Sequence, residues 1–224
     1  MSMSPASPLR IAILGGGRLG SAFAFHLVRN AHHDVTVIAR PDSVRLAQLQ
    51  RDGGIVTTDG ERASTTVTDR FDETVPYDLV TVPAPHTVQL LPSLRRSAAR
   101  AIQFMLMTFD PEHLQQAVGV ERAALGMPFL QSTMDTQGRI KVTMGGASRQ
   151  TLTSDPYLAS IFKAADLPTR YEDRMALWLR CHVPLGVAFE SIAVAGERRG
   201  GGAPWRRACA GPPGLFRTDP QSGL

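Results

Sequence analysis

Three glycines, Gly15-x-Gly17-x-x-Gly20, stand directly behind the apolar run Ile11-Ala-Ile-Leu14 and ahead of an Ala- and Phe-rich stretch. With a strand before it and a helix after it, that spacing is the fingerprint of a loop that carries a dinucleotide. The first glycine permits the tight turn out of the strand, the second lets backbone approach a pyrophosphate, and the third lets the helix pack closely on the strand. Phosphate oxygens would then meet free N–H groups at the helix N-terminus, where the dipole favours negative charge. Gly15, Gly16, Gly17, Arg18, Leu19 and Gly20 are accordingly the expected pyrophosphate cradle.

The β-branched run His33-Asp-Val-Thr-Val-Ile-Ala reads as the second strand of the same unit and ends at Arg40. A carboxylate there would bind the ribose 2′-OH of NAD, whereas a cation accommodates the 2′-phosphate of NADP. Arg40 therefore predicts NADP(H), against the plainer reading of one more solvated arginine.

The elements that must position these groups alternate along the chain. A helical stretch over residues 43–50 is followed by strand-like runs at 55–58 and 63–68, a buried strand at 77–82, and a helix from Pro83 through Arg100. Residues 101–107 form another apolar strand, and Asp110-Pro-Glu-His-Leu has the look of an N-capped helix with proline at its first position. Two further strands, near 121–130 and 139–144, are expected to close the far edge of the sheet as a hairpin. Helices follow at 154–165 and 173–195, the second entered from residues 168–172. Strands alternating with helices indicate an α/β fold, a Rossmann-like, doubly wound and mostly parallel sheet with right-handed crossovers.

Composition fits that class. The chain has 224 residues, 43% of them hydrophobic, enough for a buried core. The isoelectric point, about 9.6, raises the question of nucleic acid. From Glu197 onward, however, there are five arginines against one Glu and one Asp, which leaves 19 cations and 18 anions in the body. A nucleic-acid footprint needs a basic stripe on a folded face, and none is visible. No run of eighteen apolar residues occurs, and the polar Met1–Pro8 segment lacks the pattern of a secretory signal, so a cytoplasmic protein without membrane contact is expected. Cys181 and Cys209 lack metal-ligand spacing and read as ordinary reduced thiols; no metal is expected.

The glycine loop, the strand ending at Arg40, Tyr77-Asp-Leu-Val80 and Met175-Ala-Leu-Trp178 at the opening of a helix together resemble ketopantoate reductase (2-dehydropantoate 2-reductase), over about residues 9–195. The resemblance implies an NADPH-dependent enzyme that reduces a small 2-oxo acid to a 2-hydroxy acid in pantothenate biosynthesis. It also implies a Rossmann domain joined to a helical substrate domain. Val82 and Pro83, at the end of a central strand, would border the cofactor. Where the family pattern has a lysine after that strand, this chain has Pro83; the Asn-Gly pair expected after the next strand is missing from Met107-Thr-Phe-Asp110. The family's lysine two residues beyond the helix tryptophan is Arg180, and an asparagine four residues further is Pro184. Arg180 would then bind the carboxylate or carbonyl, and His182 or water would supply the proton.

The expected layout is a flexible 1–8, an NADP-binding domain over 9–170, a remnant of the helical substrate and dimerisation domain over 171–196, and a disordered tail over 197–224, whose Gly/Pro/Arg-rich composition cannot offset its ordering entropy. A homodimer through the Trp178 helix is expected. Two functional classes follow: an NADPH-dependent 2-oxo-acid reductase, or an NADP-binding regulatory or degenerate protein without turnover.

Overall fold

The computed structural model describes residues 7–83, 87–144 and 149–198. The expectations of a flexible N-terminus and a disordered tail fall, apart from residues 7, 8, 197 and 198, outside the described residues. Contacts divide the chain inside its last helix, into Met1–Leu179 and Arg180–Leu224.

In the first unit, β1 (Arg10–Leu14), α1 (Arg18–Arg29), β2 (Asp34–Ile38) and α2 (Val44–Asp52) form the opening βαβα run. Then come the short strands β3 (Gly54–Val56), β4 (Arg62–Ser64) and β5 (Thr66–Thr68), followed by β6 (Leu79–Val82), α3 (Thr87–Arg96), β7 (Ala101–Met105), α4 (Pro111–Val118) and β8 (Ala123–Met127). The chain continues through β9 (Leu130–Met134), β10 (Ile140–Met144), β11 (Thr151–Thr153), α5 (Pro156–Ala164), β12 (Thr169–Tyr171) and α6 (Met175–Arg198).

Eight strands make one sheet in the order β12-β11-β8-β7-β6-β1-β2-β5. Every pairing is parallel except β11 with β8. From β1 the chain winds one way to β2 and β5, then returns to the other side for β6, β7 and β8, so the switch point lies between β1 and β6. The twofold alternation of a strand assigns the two faces. Ile11, Ile13 and Leu79 enter a core with Phe23, Leu27 and Phe162 from α1 and α5. Ala12, Leu14, Val80 and Val82 enter a second core with Leu91, Leu94 and Leu114 from α3 and α4, which also takes in Met175 and Leu179.

The far edge differs from the expected hairpin. β8 is an interior parallel strand, and the hairpin is β9 with β10, a separate antiparallel pair. Pro128 stands between β8 and β9, where its missing N–H cannot continue a ladder. The edge itself is β11 and β12, three residues each and too short to display a period. The expected strand 63–68 divides, β4 pairing with β3 while β5 joins the main sheet beside β2. The helix expected to reach Arg100 ends at Arg96. Arg122 gathers the carbonyls around that end: its guanidinium donates to Leu94 O at 2.9 Å and Arg95 O at 2.7 Å in α3, to Ser97 O at 2.8 Å and Ala99 O at 3.2 Å just beyond it, and to Val118 O at 2.6 Å at the end of α4. A cation among C-terminal carbonyls is favoured by the helix dipole.

The second unit contributes the rest of α6 among the described residues. Met175–Gly196 is the one described helix long and apolar enough, by length and composition, to cross a membrane, with a mean hydropathy of 1.2. It carries Arg180 and an internal Pro184, and Leu185, Val187, Phe189 and Ile192 are exposed on it.

Candidate cofactor-binding site

The loop between β1 and α1 is built around its glycines, each for a different reason. Gly15 has φ 127°, a conformation L side chains rarely adopt, and its amide donates to Ile38 O at 2.9 Å, tying the turn to the end of β2. A Cβ on Gly20 would run into the Gly15 carbonyl oxygen and lie 3.1 Å from Ile13 Cγ2, so the helix can approach the strand this closely only without a side chain there. Gly16 is buried, and a Cβ on it would meet Leu49 Cδ1 at 2.8 Å. Gly17 differs from all three. It is exposed, has an ordinary φ of −70°, caps α1 without a side-chain bond, and a Cβ on it would meet nothing within 4 Å. The missing Cβ at Gly17 therefore leaves a space that no atom of the described residues fills.

Beyond that space lies the start of α1. The first intrahelical bond is Ser21 N–H to Gly17 O at 2.9 Å, and the amides of Gly17, Arg18, Leu19 and Gly20 meet no acceptor among the described residues. No acidic residue occupies the first turn of α1. Free donors at the positive end of a helix, with no competing carboxylate, fit a bound anion such as a pyrophosphate.

Parallel strands bring the other expected residues to the same edge. β2 and β6 flank β1 in register, Leu14 beside Ile38 and Ile13 beside Thr81, so all three strands end together. Arg40 is exposed just past β2, and no hydrogen bond or ion pair engages its guanidinium among the described residues. Val82 is buried in the second core and Pro83 is half-buried beyond it. Gly15, Gly16, Gly17, Arg18, Leu19, Gly20, Arg40, Val82 and Pro83 thus share the carboxyl edge of the sheet at its switch point, where open α/β sheets bind ligands.

Arg180 and His182 belong to the second unit. Two positions apart on one helix, their side chains point about 200° from each other around the axis. Arg180 is exposed; His182 is half-buried, and burial pushes its pKa below the ordinary 6.5. Pro184 continues the helix backbone without an N–H to donate. At the end of β7, where the family pattern has Asn-Gly, Met107 and Phe109 are exposed. In the first unit Trp178 packs edge-to-face on Phe129, ring centroids 5.8 Å apart.

One residue at the loop was invisible to sequence reasoning. Arg45, second in α2, donates from Nε to Gly16 O at 2.8 Å and from Nη2 to Ser21 Oγ at 2.9 Å. The signal that could have found it is electrostatic, since a cation in a first helical turn opposes the dipole and needs a local reason.

Matching the chain to family models assigns residues 11–151 to the family described as ketopantoate reductase PanE/ApbA. Among solved structures, 2-dehydropantoate 2-reductase from Porphyromonas gingivalis W83 is similar with a TM-score of 0.63 at 18% identity, over 77% of this chain and 67% of that one. The enzyme of the same name from Geobacter metallireducens GS-15 gives 0.61 at 22% identity, over 83% and 62%. D-mandelate dehydrogenase, solved with NADH and anilino(oxo)acetate, gives 0.56 at 16% identity, over 83% and 61%. At these identities the likeness is one of fold, and this chain spans about two thirds or less of the length of all three. No curated protein matches the chain.

Proposed function

The chain belongs to the ketopantoate reductase family through residues 11–151, and from that membership we propose that it binds NADP(H) and reduces the carbonyl of a small 2-oxo acid. The observation that carries the cofactor half is the combination, among the described residues, of an open Gly17 face, unengaged amides at the start of α1 and an unengaged guanidinium at Arg40. In this reading the loop amides hold the pyrophosphate, Arg40 takes the 2′-phosphate, and Val82 with Pro83 borders the nicotinamide end. The NADH-bound neighbour makes cofactor choice a real question, and the cation at position 40, where NAD-binding members of this fold class have a carboxylate, argues for the phosphorylated form.

A bound NADPH supplies a hydride to the carbonyl carbon. The protein must hold the 2-oxo acid and give its oxygen a proton as charge develops there. Arg180, permanently protonated, is suited to the carboxylate or the oxyanion and poorly suited to proton donation. His182 is the candidate acid for a substrate on its own side of the helix, and water is the donor for one held by Arg180; burial makes the His182 imidazolium a stronger donor and a rarer species at neutral pH.

The second reading, cofactor binding without turnover, is favoured by Pro83, Arg180 and Pro184 standing where the family pattern has two lysines and an asparagine. The two readings separate in one experiment: NADPH consumption with a panel of 2-oxo acids including ketopantoate, beside a titration of NADPH and NADH binding. We expect NADPH to bind, some 2-oxo acid to be reduced, and ketopantoate to react with kcat/KM below about 10⁴ M⁻¹s⁻¹, the lower end of ordinary enzyme efficiency. Binding with no turnover on any acid selects the second reading, and no binding of either dinucleotide overturns both.

A further inference from the structure

We propose that Arg45 is a positioning residue of the cofactor loop, one that presets the Gly16–Gly17 peptide for an anion it does not itself touch; this rests on the NADP(H) reading above. Its guanidinium is committed inward on three sides. Nε donates to Gly16 O at 2.8 Å, Nη2 donates to Ser21 Oγ at 2.9 Å, and Nη1 donates to Gly138 O at 2.7 Å in the turn between β9 and β10. Ser21 Oγ in turn donates to Gly16 O at 2.9 Å, which closes a ring of Arg45, Gly16 and Ser21. The Gly16 carbonyl therefore accepts two hydrogen bonds and has no freedom left to rotate toward a ligand.

Peptide planarity carries the constraint one atom further. In a trans peptide the N–H points opposite to the preceding C=O. With the Gly16 carbonyl pinned toward α2, the Gly17 amide is aimed away from Arg45, and Gly17 is the residue whose missing Cβ faces open space. A glycine-rich loop is otherwise the most mobile backbone available, and ordering it would be charged against binding. Arg45 fixes it in advance.

Charge supports the same role. Arg45 is half-buried and burial pushes its pKa down, with the Asp52 carboxylate opposing that shift from a distance; no carboxylate forms an ion pair with it among the described residues. A partly desolvated cation whose hydrogen bonds all go to neutral oxygens leaves positive potential beside the loop, only partly offset by Asp52, which an arriving phosphate would lower. Direct recognition of the 2′-phosphate falls instead to Arg40, whose guanidinium is exposed and unengaged. The Gly138 contact explains why the β9–β10 hairpin packs here: a Cβ on Gly138 would strike Gln48 and Arg45 themselves.

The test measures binding of NADPH, NADH and ADP-ribose to the unmodified chain and to Arg45→Met, Arg45→Lys, Ser21→Ala and the Arg45→Met/Ser21→Ala double variant, with a thermal melt of each. Arg45→Met should weaken all three ligands by the same factor, about ten- to a hundredfold, the range for losing hydrogen bonds to a charged group. Arg45→Lys should remain weakened, because a point charge cannot reproduce the fork. Ser21→Ala, a small change expected to fold, should weaken all three ligands less, and the double variant should be no weaker than Arg45→Met, since both side chains hold one carbonyl. A loss confined to NADPH would make Arg45 a direct phosphate ligand, and full rescue by lysine would reduce it to a charge; either result overturns the proposal. Unchanged affinities in Ser21→Ala, or in a folded Arg45→Met, overturn it as well. Failure of the unmodified chain to bind any of the three overturns the cofactor reading and this assignment together, whereas the preceding outcomes overturn this assignment alone.

Discussion

Gly17 and Gly20 lie three residues apart in one loop, and the structure predicts opposite consequences for giving each a side chain. Gly20→Ala would drive a methyl group into the Gly15 carbonyl oxygen and against Ile13 Cγ2, so α1 must move off β1. That movement disturbs a helix whose Ala22, Phe23, Ala24, Phe25 and Leu27 are buried in the first core. Overpacking of this kind costs about 1–3 kcal/mol. For a domain of this size that is a Tm lower by about 2–12 °C. Gly17→Ala meets nothing within 4 Å and keeps a φ of −70° that alanine adopts freely. Stiffening the unfolded chain stabilises by about 0.4–1 kcal/mol, and exchanging glycine for alanine at an N-cap costs a similar amount. The net change should be near zero, with Tm within about 2 °C of the unmodified protein. Gly17→Val fills the space through which a pyrophosphate would approach the loop amides and should weaken NADPH by at least about tenfold, equivalent to 1.4 kcal/mol. Differential scanning fluorimetry of the apo chains and a fluorescence titration with NADPH read the two effects separately. Unchanged affinity in a folded Gly17→Val, or a Gly20→Ala variant that melts with the unmodified protein, would refute the division of labour argued here.

Arg40→Asp should weaken NADPH by about 1.5–3 kcal/mol, the scale of a charge-assisted hydrogen bond, and leave NADH much less affected; equal affinity of the unmodified chain for both dinucleotides in a competition titration would count against it. Arg122→Met strips one cation from five carbonyls at the ends of α3 and α4. It should cost about 2–4 kcal/mol and at least about 4 °C in Tm, with NADPH affinity retained. If His182 is the acid, its depressed pKa makes turnover rise as pH falls and level off only below 6.5, and His182→Gln should flatten the profile; turnover that climbs with pH excludes it. Arg180→Lys should recover little ketopantoate turnover, because a group that acts within a unit contributes only when its partners are present; a rise of about a hundredfold or more would show that position 180 alone limits catalysis.

The readable part of the fold was the part encoded locally. The β1–loop–α1 run announces itself because an apolar strand, three glycines and an apolar helix follow within twenty residues, and the spacing alone points to the turn at Gly15 and the close packing at Gly20. The Asp110 cap with Pro111 behind it was equally plain, and Asp110 does accept from the His113 amide at 3.1 Å. What stayed hidden depends on residues far apart in sequence. Arg45 has its role because Gly138 lies 93 positions away in the hairpin turn, and nothing in either segment names the other. The misplaced edge has the same origin. β11 is held partly by the buried bond from Thr153 Oγ1 to Gln103 Oε1 at 2.6 Å, which joins it to a strand 50 residues earlier. A three-residue strand carries too few positions for a period to emerge, so only the contact identifies it.

The same distinction separates the two halves of the proposed chemistry. An anion cradle can be made from backbone alone, and its specification therefore survives in glycines and a helix start even when identity to solved relatives falls to 18–22%. Proton donation cannot be made that way. In the family pattern one lysine at position 180 supplies both charge and a transferable proton from a single point on α6. Arg180 retains the charge, and His182, two residues on, is a side chain whose ordinary pKa lies near neutrality. At two residues' spacing on a regular helix the two point about 200° apart. They cannot converge on one carbonyl as a single lysine does, so a substrate held by Arg180 must obtain its proton from water or from a side chain on another element. Cofactor binding and hydride transfer would thus be specified by different kinds of residue in this chain, which is why the first is expected to persist and the second to be slow.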